Sequence, residues 1–154
     1  IWIIPSFRHP FDKELTNFEL RLEMCRIAFA GISPKVVISQ IEKKVEGKGY
    51  TLDLLRYLIP EFKDFKFTLA LGTDNFQSRH KWKGFDEIDR LVDIKFYGRK
   101  GNESENVHLG LDTPFPEVSS TQLRELLRQG NNPNDLLPAG IMDYIIRKGL
   151  YRKG

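Results

Sequence analysis

Cysteine is nearly absent: Cys25 is the single one in 154 residues, which excludes an intrachain disulfide and any metal cluster built from cysteines. It falls in a helical apolar pattern with Leu22 and Phe29, so a buried structural thiol in a reducing, cytoplasmic compartment is expected. Long apolar runs are lacking too. Nothing approaches the roughly 20 consecutive apolar residues that span a bilayer, and no stretch reads as a secretory signal, so no membrane partner is expected. Charge of one sign does not dominate: 24 basic against 21 acidic residues leave +3, which suits a small anionic substrate and gives little ground for a nucleic-acid surface. The three histidines, His9, His80 and His108, stand singly, and lone loop histidines are more often solvated than catalytic. Repeats and low-complexity segments are missing as well. What remains, 40% hydrophobic and 29% charged residues, describes one globular domain over 1–154 with a real core. Charged blocks such as Glu42-Lys43-Lys44 read as solvated faces.

The chain opens on Ile1-Trp2-Ile3-Ile4 and then Pro5. A continuous apolar strand belongs in the middle of a parallel sheet, so a preceding strand and helix are expected upstream of Ile1. After this strand, residues 17–29 read as a helix capped by Thr16 with Glu19 three residues on. Residues 36–39 read as a short strand and 42–49 as a charged loop. Thr51 should cap a helix over 52–59 that stops near Pro60. Residues 67–71 form the strongest strand pattern and end at Gly72; a helix over 85–91 and a strand over 93–97 follow. Residues 107–111 read as a further strand, and the last third is helical, with Gly130 closing one helix and Pro138 opening the last. Such alternation predicts a Rossmann-like, doubly wound α/β fold with parallel strands, whose ligands lie at the carboxyl ends of those strands.

The densest chemistry lies in Glu117-Val118-Ser119-Ser120-Thr121-Gln122-Leu123-Arg124. Here a strand end runs into a helix whose first turn carries hydroxyls and is followed by a cation. Backbone N–H groups, the positive end of the helix dipole, Ser119, Ser120, Thr121 and Arg124 together suit a phosphate. The competing reading is a plain cap, because Ser119 and Gln122 also have capping-box spacing. Gly72 and Asp74 follow the strongest strand, where the alternatives are a turn glycine and a helix cap. Trp82 sits between Lys81 and Lys83, in a segment too polar for an ordinary core position. Its flat ring suits stacking; a partly buried structural tryptophan is the alternative.

In order and spacing, Ile3-Ile4-Pro5, Arg21-Leu22-Glu23-Met24, Gly49-Tyr50-Thr51, Leu71-Gly72-Thr73-Asp74-Asn75, Lys81-Trp82, Arg99, Val118-Ser119-Ser120-Thr121 with Arg124, Leu137-Pro138 and Gly149-Leu150-Tyr151 together resemble the bacterial nicotinate mononucleotide adenylyltransferases of the nucleotidyltransferase superfamily. The resemblance runs over essentially the whole chain. It implies adenylyl transfer from ATP to nicotinate mononucleotide, giving deamido-NAD and pyrophosphate with Mg2+ assisting. It further implies Arg124 as the catalytic cation, with Gly72, Asp74, Ser119, Ser120 and Thr121 on the ATP nucleotide. Thr51, Trp82 and Arg99 fall to the nicotinate nucleotide, and Lys13 to the triphosphate. One departure stands out. The superfamily's Gly-x-Phe-x-Pro-x-His-x-Gly-His has no counterpart here, so either it precedes Ile1 or the chain is a non-catalytic nucleotide-binding module. A relative acting on nicotinamide mononucleotide or pantetheine phosphate is the third alternative.

Overall fold

A computed structural model describes residues 1–9, 15–97 and 118–151, with the backbone alone for Thr73 and Asp74. The chain divides into two units: Ile1–Phe7, Lys13–Lys44 and Val118–Gly154 form one, Arg8–Asp12 and Val45–Glu117 the other. The strand expected at 107–111, Lys13 and Arg99 lie outside the described residues.

In the first unit, β1 (Trp2–Ile3) pairs in parallel with β2 (Val37–Ile38), Trp2 opposite Val37 and Ile3 opposite Ile38. The amides of Val37 and Ser39 donate to the carbonyls of Ile1 and Ile3 at 2.8 and 2.9 Å. Both strands are shorter than their apolar runs suggest, and Pro5, which has no N–H to give, comes shortly after the first. Between them runs α1 (Phe18–Phe29), capped by Asn17 rather than the expected Thr16. The Asn17 side-chain oxygen accepts from the Glu19 amide at 2.9 Å, while the Thr16 carbonyl accepts from Arg21 Nε at 2.8 Å. Two cap-competent residues stand side by side here, and the second makes the bond.

The unit's core comes from its far end in sequence. Leu127 of α5 (Ser120–Arg128) joins Ile141, Met142 and Ile145 of α6 (Ile141–Lys148), and Met24, Ile27 and Ala28 of α1 pack against them. Burying such side chains stabilises by about 1.5–3 kcal/mol each, so this cluster is what ties α1 to the carboxyl-terminal helices. Cys25, close in sequence to fully buried Leu22, is itself half-buried rather than enclosed. Burial still pushes its thiol pKa up, with nearby Arg21 acting in the opposite direction.

In the second unit, α2 (Thr51–Glu61) presents Leu52, Leu55 and Leu58 at intervals of three, a stripe along one side of the helix. Leu52 and Leu55 cluster with Ile88 of α4 (Phe85–Leu91) and with Val92. Pro60 lies inside α2 instead of ending it. A proline in the last turn removes only the bond to the Arg56 carbonyl, in an exposed residue, and the Phe62 amide still closes on Leu58 at 2.9 Å. β3 (Thr68–Gly72) and β4 (Asp93–Tyr97) pair in parallel from Thr68 opposite Asp93 to Gly72 opposite Tyr97. The short α3 (Thr73–Gln77) begins on the residue after β3 ends. No helix of the described residues is long and apolar enough to cross a membrane.

Candidate active site

The start of α5 forms the capping box that its sequence allows. Ser119, in extended conformation, accepts the Gln122 amide on its hydroxyl at 3.1 Å, and the Gln122 side chain accepts the Ser119 amide at 3.0 Å. This reciprocal box occupies two of the amides that a helix start leaves open. The amides of Ser120 and Thr121, between them, have no partner among the described residues. The hydroxyl-bearing side chains of Ser120 and Thr121 are exposed. Arg124, half-buried, donates from Nη2 to Thr121 Oγ1 at 3.4 Å, so its guanidinium is turned back over the first turn. Amides, hydroxyls and one cation thus gather at the positive end of the helix dipole, the end where an anion is electrostatically favoured. At the opposite end of α5 a cavity of about 420 Å3 is lined by apolar Leu127, Met142, Ile145 and Leu150 and also by Arg128, Asn131 and Asn132.

In the second unit, Gly72 closes β3, half-buried, and the chain turns directly into α3, whose second residue is Asp74. Phe76 of α3 meets Phe96 of β4 edge to face at 5.1 Å, and Arg79 covers Phe76 at 4.0 Å from the ring centroid. These contacts hold α3 against the carboxyl end of the β3–β4 pair, where ligands of parallel sheets lie.

Thr51 is the first residue of α2 and not its cap; Tyr50 holds that position and makes no side-chain cap bond. The Leu54 amide closes on the Tyr50 carbonyl at 3.2 Å, which starts the helix one residue before the expected place. Lys83 Nζ lies 4.7 Å from the Tyr50 ring centroid and pairs with Asp53 at 3.1 Å. Trp82 is half-buried, packs on the Leu52, Leu55, Ile88 and Val92 cluster, and meets Phe85 edge to face at 6.1 Å. The partly buried structural tryptophan is therefore present. The same packing brings the indole and the start of α2, through Leu52, to one small core.

Sequence reasoning misplaced one charged residue. Glu42, expected on a solvated face, is 7% exposed within a short turn, Ile41–Lys44, and its carboxylate accepts the Phe7 amide. Burial pushes its pKa up, while the Phe7 amide and then Arg21 oppose the rise. Nothing in the local pattern of alternating charge signals this, because the partner lies 35 residues away. Among the described residues, no three His, Cys, Asp or Glu side chains converge to hold a metal ion.

Known proteins share this sequence along its length. It is 35% identical over 151 residues to a probable nicotinate-nucleotide adenylyltransferase of Myxococcus xanthus, covering 98% of this chain and 78% of that protein. The corresponding probable enzyme of Anaeromyxobacter sp. strain K is 34% identical, with 99% and 80% covered. No family model matches. Among solved structures, a putative nicotinate-nucleotide adenylyltransferase from Vibrio parahaemolyticus superposes with a TM-score of 0.76 at 18% identity, covering 99% of this chain and 78% of that one. Plasmodium falciparum nicotinic acid mononucleotide adenylyltransferase, complexed with APC, gives 0.75 at 20% identity, with 97% and 81% covered. The structural likeness establishes the Rossmann-like α/β fold expected from the strand and helix alternation, and the sequence identity carries the rest: the chain belongs to the nicotinate-nucleotide adenylyltransferase family.

Proposed function

We propose that the protein transfers the adenylyl group of ATP to nicotinate mononucleotide. An oxygen of the mononucleotide's 5'-phosphate attacks the α-phosphorus of ATP, the bond from that phosphorus to the bridging oxygen breaks, and pyrophosphate leaves with the electron pair. Deamido-NAD is the other product. No covalent enzyme intermediate is needed, so the work of the protein is to position two anionic substrates and to neutralise charge.

The observation that carries this reading is the 35% identity to a probable enzyme of that name over nearly the whole chain. The α5 start supports it physically. The Ser120 and Thr121 amides, the Ser119, Ser120 and Thr121 side chains and the retracted Arg124 side chain are assigned to the ATP phosphates, with Arg124 stabilising the charge that develops as pyrophosphate departs. Gly72 and Asp74, at the junction of β3 and α3, are assigned to the adenosine. Thr51 at the α2 start and the exposed part of Trp82 are assigned to the pyridine nucleotide, with Arg99 on the same substrate and Lys13 on the triphosphate. Magnesium enters as part of the substrate, on the triphosphate of ATP.

The test is pyrophosphate release by the full-length natural polypeptide from ATP with nicotinate mononucleotide, run beside nicotinamide mononucleotide and pantetheine phosphate. Faster release with the nicotinate compound is expected. A protein inert with all three acceptors would overturn the assignment, and ATP binding without turnover would point to a non-catalytic binder.

A further inference from the structure

Tyr50, at the cap position of α2, makes no side-chain bond to the helix, and the amides of Thr51, Leu52 and Asp53 have no partner among the described residues. The positive end of the dipole ordinarily draws a first-turn carboxylate toward such open amides. Asp53 is turned instead to Lys83, whose Nζ donates to Oδ1 at 3.1 Å and to Oδ2 at 3.3 Å. The same ammonium stands 4.7 Å from the Tyr50 ring centroid. The neighbours of Lys83 in the chain hold it at this place. Trp82 packs on the cluster that includes Leu52 and Leu55, and Gly84, at a φ of +64°, lies so close to α2 that a Cβ there would stand 2.6 Å from Leu52 Cδ2. Arg56, the other cation near Asp53, gives two bonds to Glu87 at 2.8 and 2.7 Å, so among the described residues Lys83 is the cation bonded to Asp53. With the Lys83 side chain 48% exposed and that of Asp53 19%, the pair adds little to stability. Its effect on local charge is larger. Without Lys83, an uncompensated carboxylate would stand two residues from Thr51, free to turn toward the open amides.

We infer that Lys83 is a specificity-determining residue: by neutralising Asp53 and holding its carboxylate away from the α2 amides, it keeps that helix start receptive to an acceptor that carries a carboxylate. This rests on the function proposed above, in which Thr51 and Trp82 meet the pyridine nucleotide. The two candidate acceptors differ at one group, since nicotinate mononucleotide bears a carboxylate where nicotinamide mononucleotide bears a neutral amide. A negative charge left bare on Asp53 opposes the first and is nearly indifferent to the second.

The experiment measures the dissociation constants of both mononucleotides by calorimetry on full-length wild type, Lys83→Met, Lys83→Arg and Asp53→Ala, with melting temperature as the control for folding. The preference for nicotinate over nicotinamide mononucleotide should fall by about three- to tenfold in Lys83→Met, and the loss should shrink at high salt. Lys83→Arg keeps the charge and should retain most of the preference. Asp53→Ala removes the carboxylate and leaves the cation, so it should raise the preference by a similar factor. A merely structural clasp would move Lys83→Met and Asp53→Ala in the same direction, since each loses the same bond. An unchanged preference in folded Lys83→Met, or a fall in Asp53→Ala to match it, overturns the inference. If Asp53→Ala does not fold, a Lys83→Arg variant as unselective as Lys83→Met, or a loss that salt does not alter, overturns it. A wild type that binds both mononucleotides without adenylyl transfer refutes the proposed activity instead, and the binding preferences still decide the role of Lys83. A wild type that binds neither refutes both.

Discussion

Gly49→Ala is expected to be one of the more damaging single-methyl substitutions in the second unit. Gly49 has a φ of +81°, and a Cβ built there would stand 2.5 Å from the Arg8 carbonyl oxygen and 2.9 Å from its carbon. Both atoms are backbone, so no rotamer change relieves the clash. The left-handed conformation alone costs an alanine about 1–2 kcal/mol, and overpacking of this kind adds about 1–3 kcal/mol. Together they amount to about 2–5 kcal/mol. Gly47, two residues earlier in the same loop, is the control: its φ of +113° is also strained for alanine, but its nearest neighbour is the Asp53 carboxylate oxygen at 3.1 Å, the end of a side chain that can turn away. The Gly47 carbonyl accepts Arg8 Nη1 at 3.0 Å, a bond that neither substitution removes. Urea unfolding followed by fluorescence gives the two stabilities. Gly49→Ala should lose at least ~1 kcal/mol more than Gly47→Ala. Equal losses would refute the claim that the Arg8 backbone packs against Gly49.

Arg124→Ala should lower kcat by an amount equal to ~2–4 kcal/mol with little change in melting temperature, since the guanidinium's bond to exposed Thr121 is long, 3.4 Å; an unchanged kcat would leave Arg124 as a helix side chain only. Trp82→Ala should cost about 2–3 kcal/mol of stability, below the usual range for fully buried tryptophans because the residue is only half-buried, and Trp82→Phe should restore most of it. Full stability in Trp82→Ala would contradict the packing against Leu52 and Ile88. Glu42 and Glu87 should show opposite pH dependence. Glu42 has a folded pKa above its unfolded one, so its contribution is fully present at low pH and lost as pH rises through the folded value. Glu87, held down by its bidentate bonds to Arg56, contributes at neutral pH and loses that as pH falls. Measured from about pH 4 to 7, wild type minus Glu42→Gln should fall in stability and wild type minus Glu87→Gln should rise; the same sign for both would refute the assignment. Cys25 should alkylate more slowly at about pH 8 than a free thiol, because burial raises its pKa, and a rate equal to the free thiol's would contradict that burial.

The sequence carries the elements whose causes are local. The helix Phe85–Leu91 and the strand Asp93–Tyr97 fall where periodicity puts them, and the Ser119 and Gln122 spacing predicts the capping box that forms. Where two neighbours have the same chemistry, local reading picks the wrong one: Thr16 and Asn17 can each cap α1, and Thr51 competes with a helix start set by the Tyr50 carbonyl. Pro60 is tolerated because the carbonyl it fails to bond belongs to an exposed residue, a fact about the fold and not about the proline. The Glu42 carboxylate meets the Phe7 amide, 35 residues away, so no window around residue 42 could reveal that bond. Trp82 shows the same limit. Its lysine neighbours suggest an exposed ring, whereas α2 and α4 supply an apolar surface that partly buries it.

The central claim is that two anionic nucleotides are joined through phosphorus, and product stoichiometry tests it most directly. Full-length protein incubated with ATP and nicotinate mononucleotide should form pyrophosphate and deamido-NAD in equal amounts, at a rate that falls by roughly 30- to 1000-fold in Arg124→Ala. Release of inorganic phosphate without dinucleotide, or no product at all from a protein that binds ATP, would contradict it.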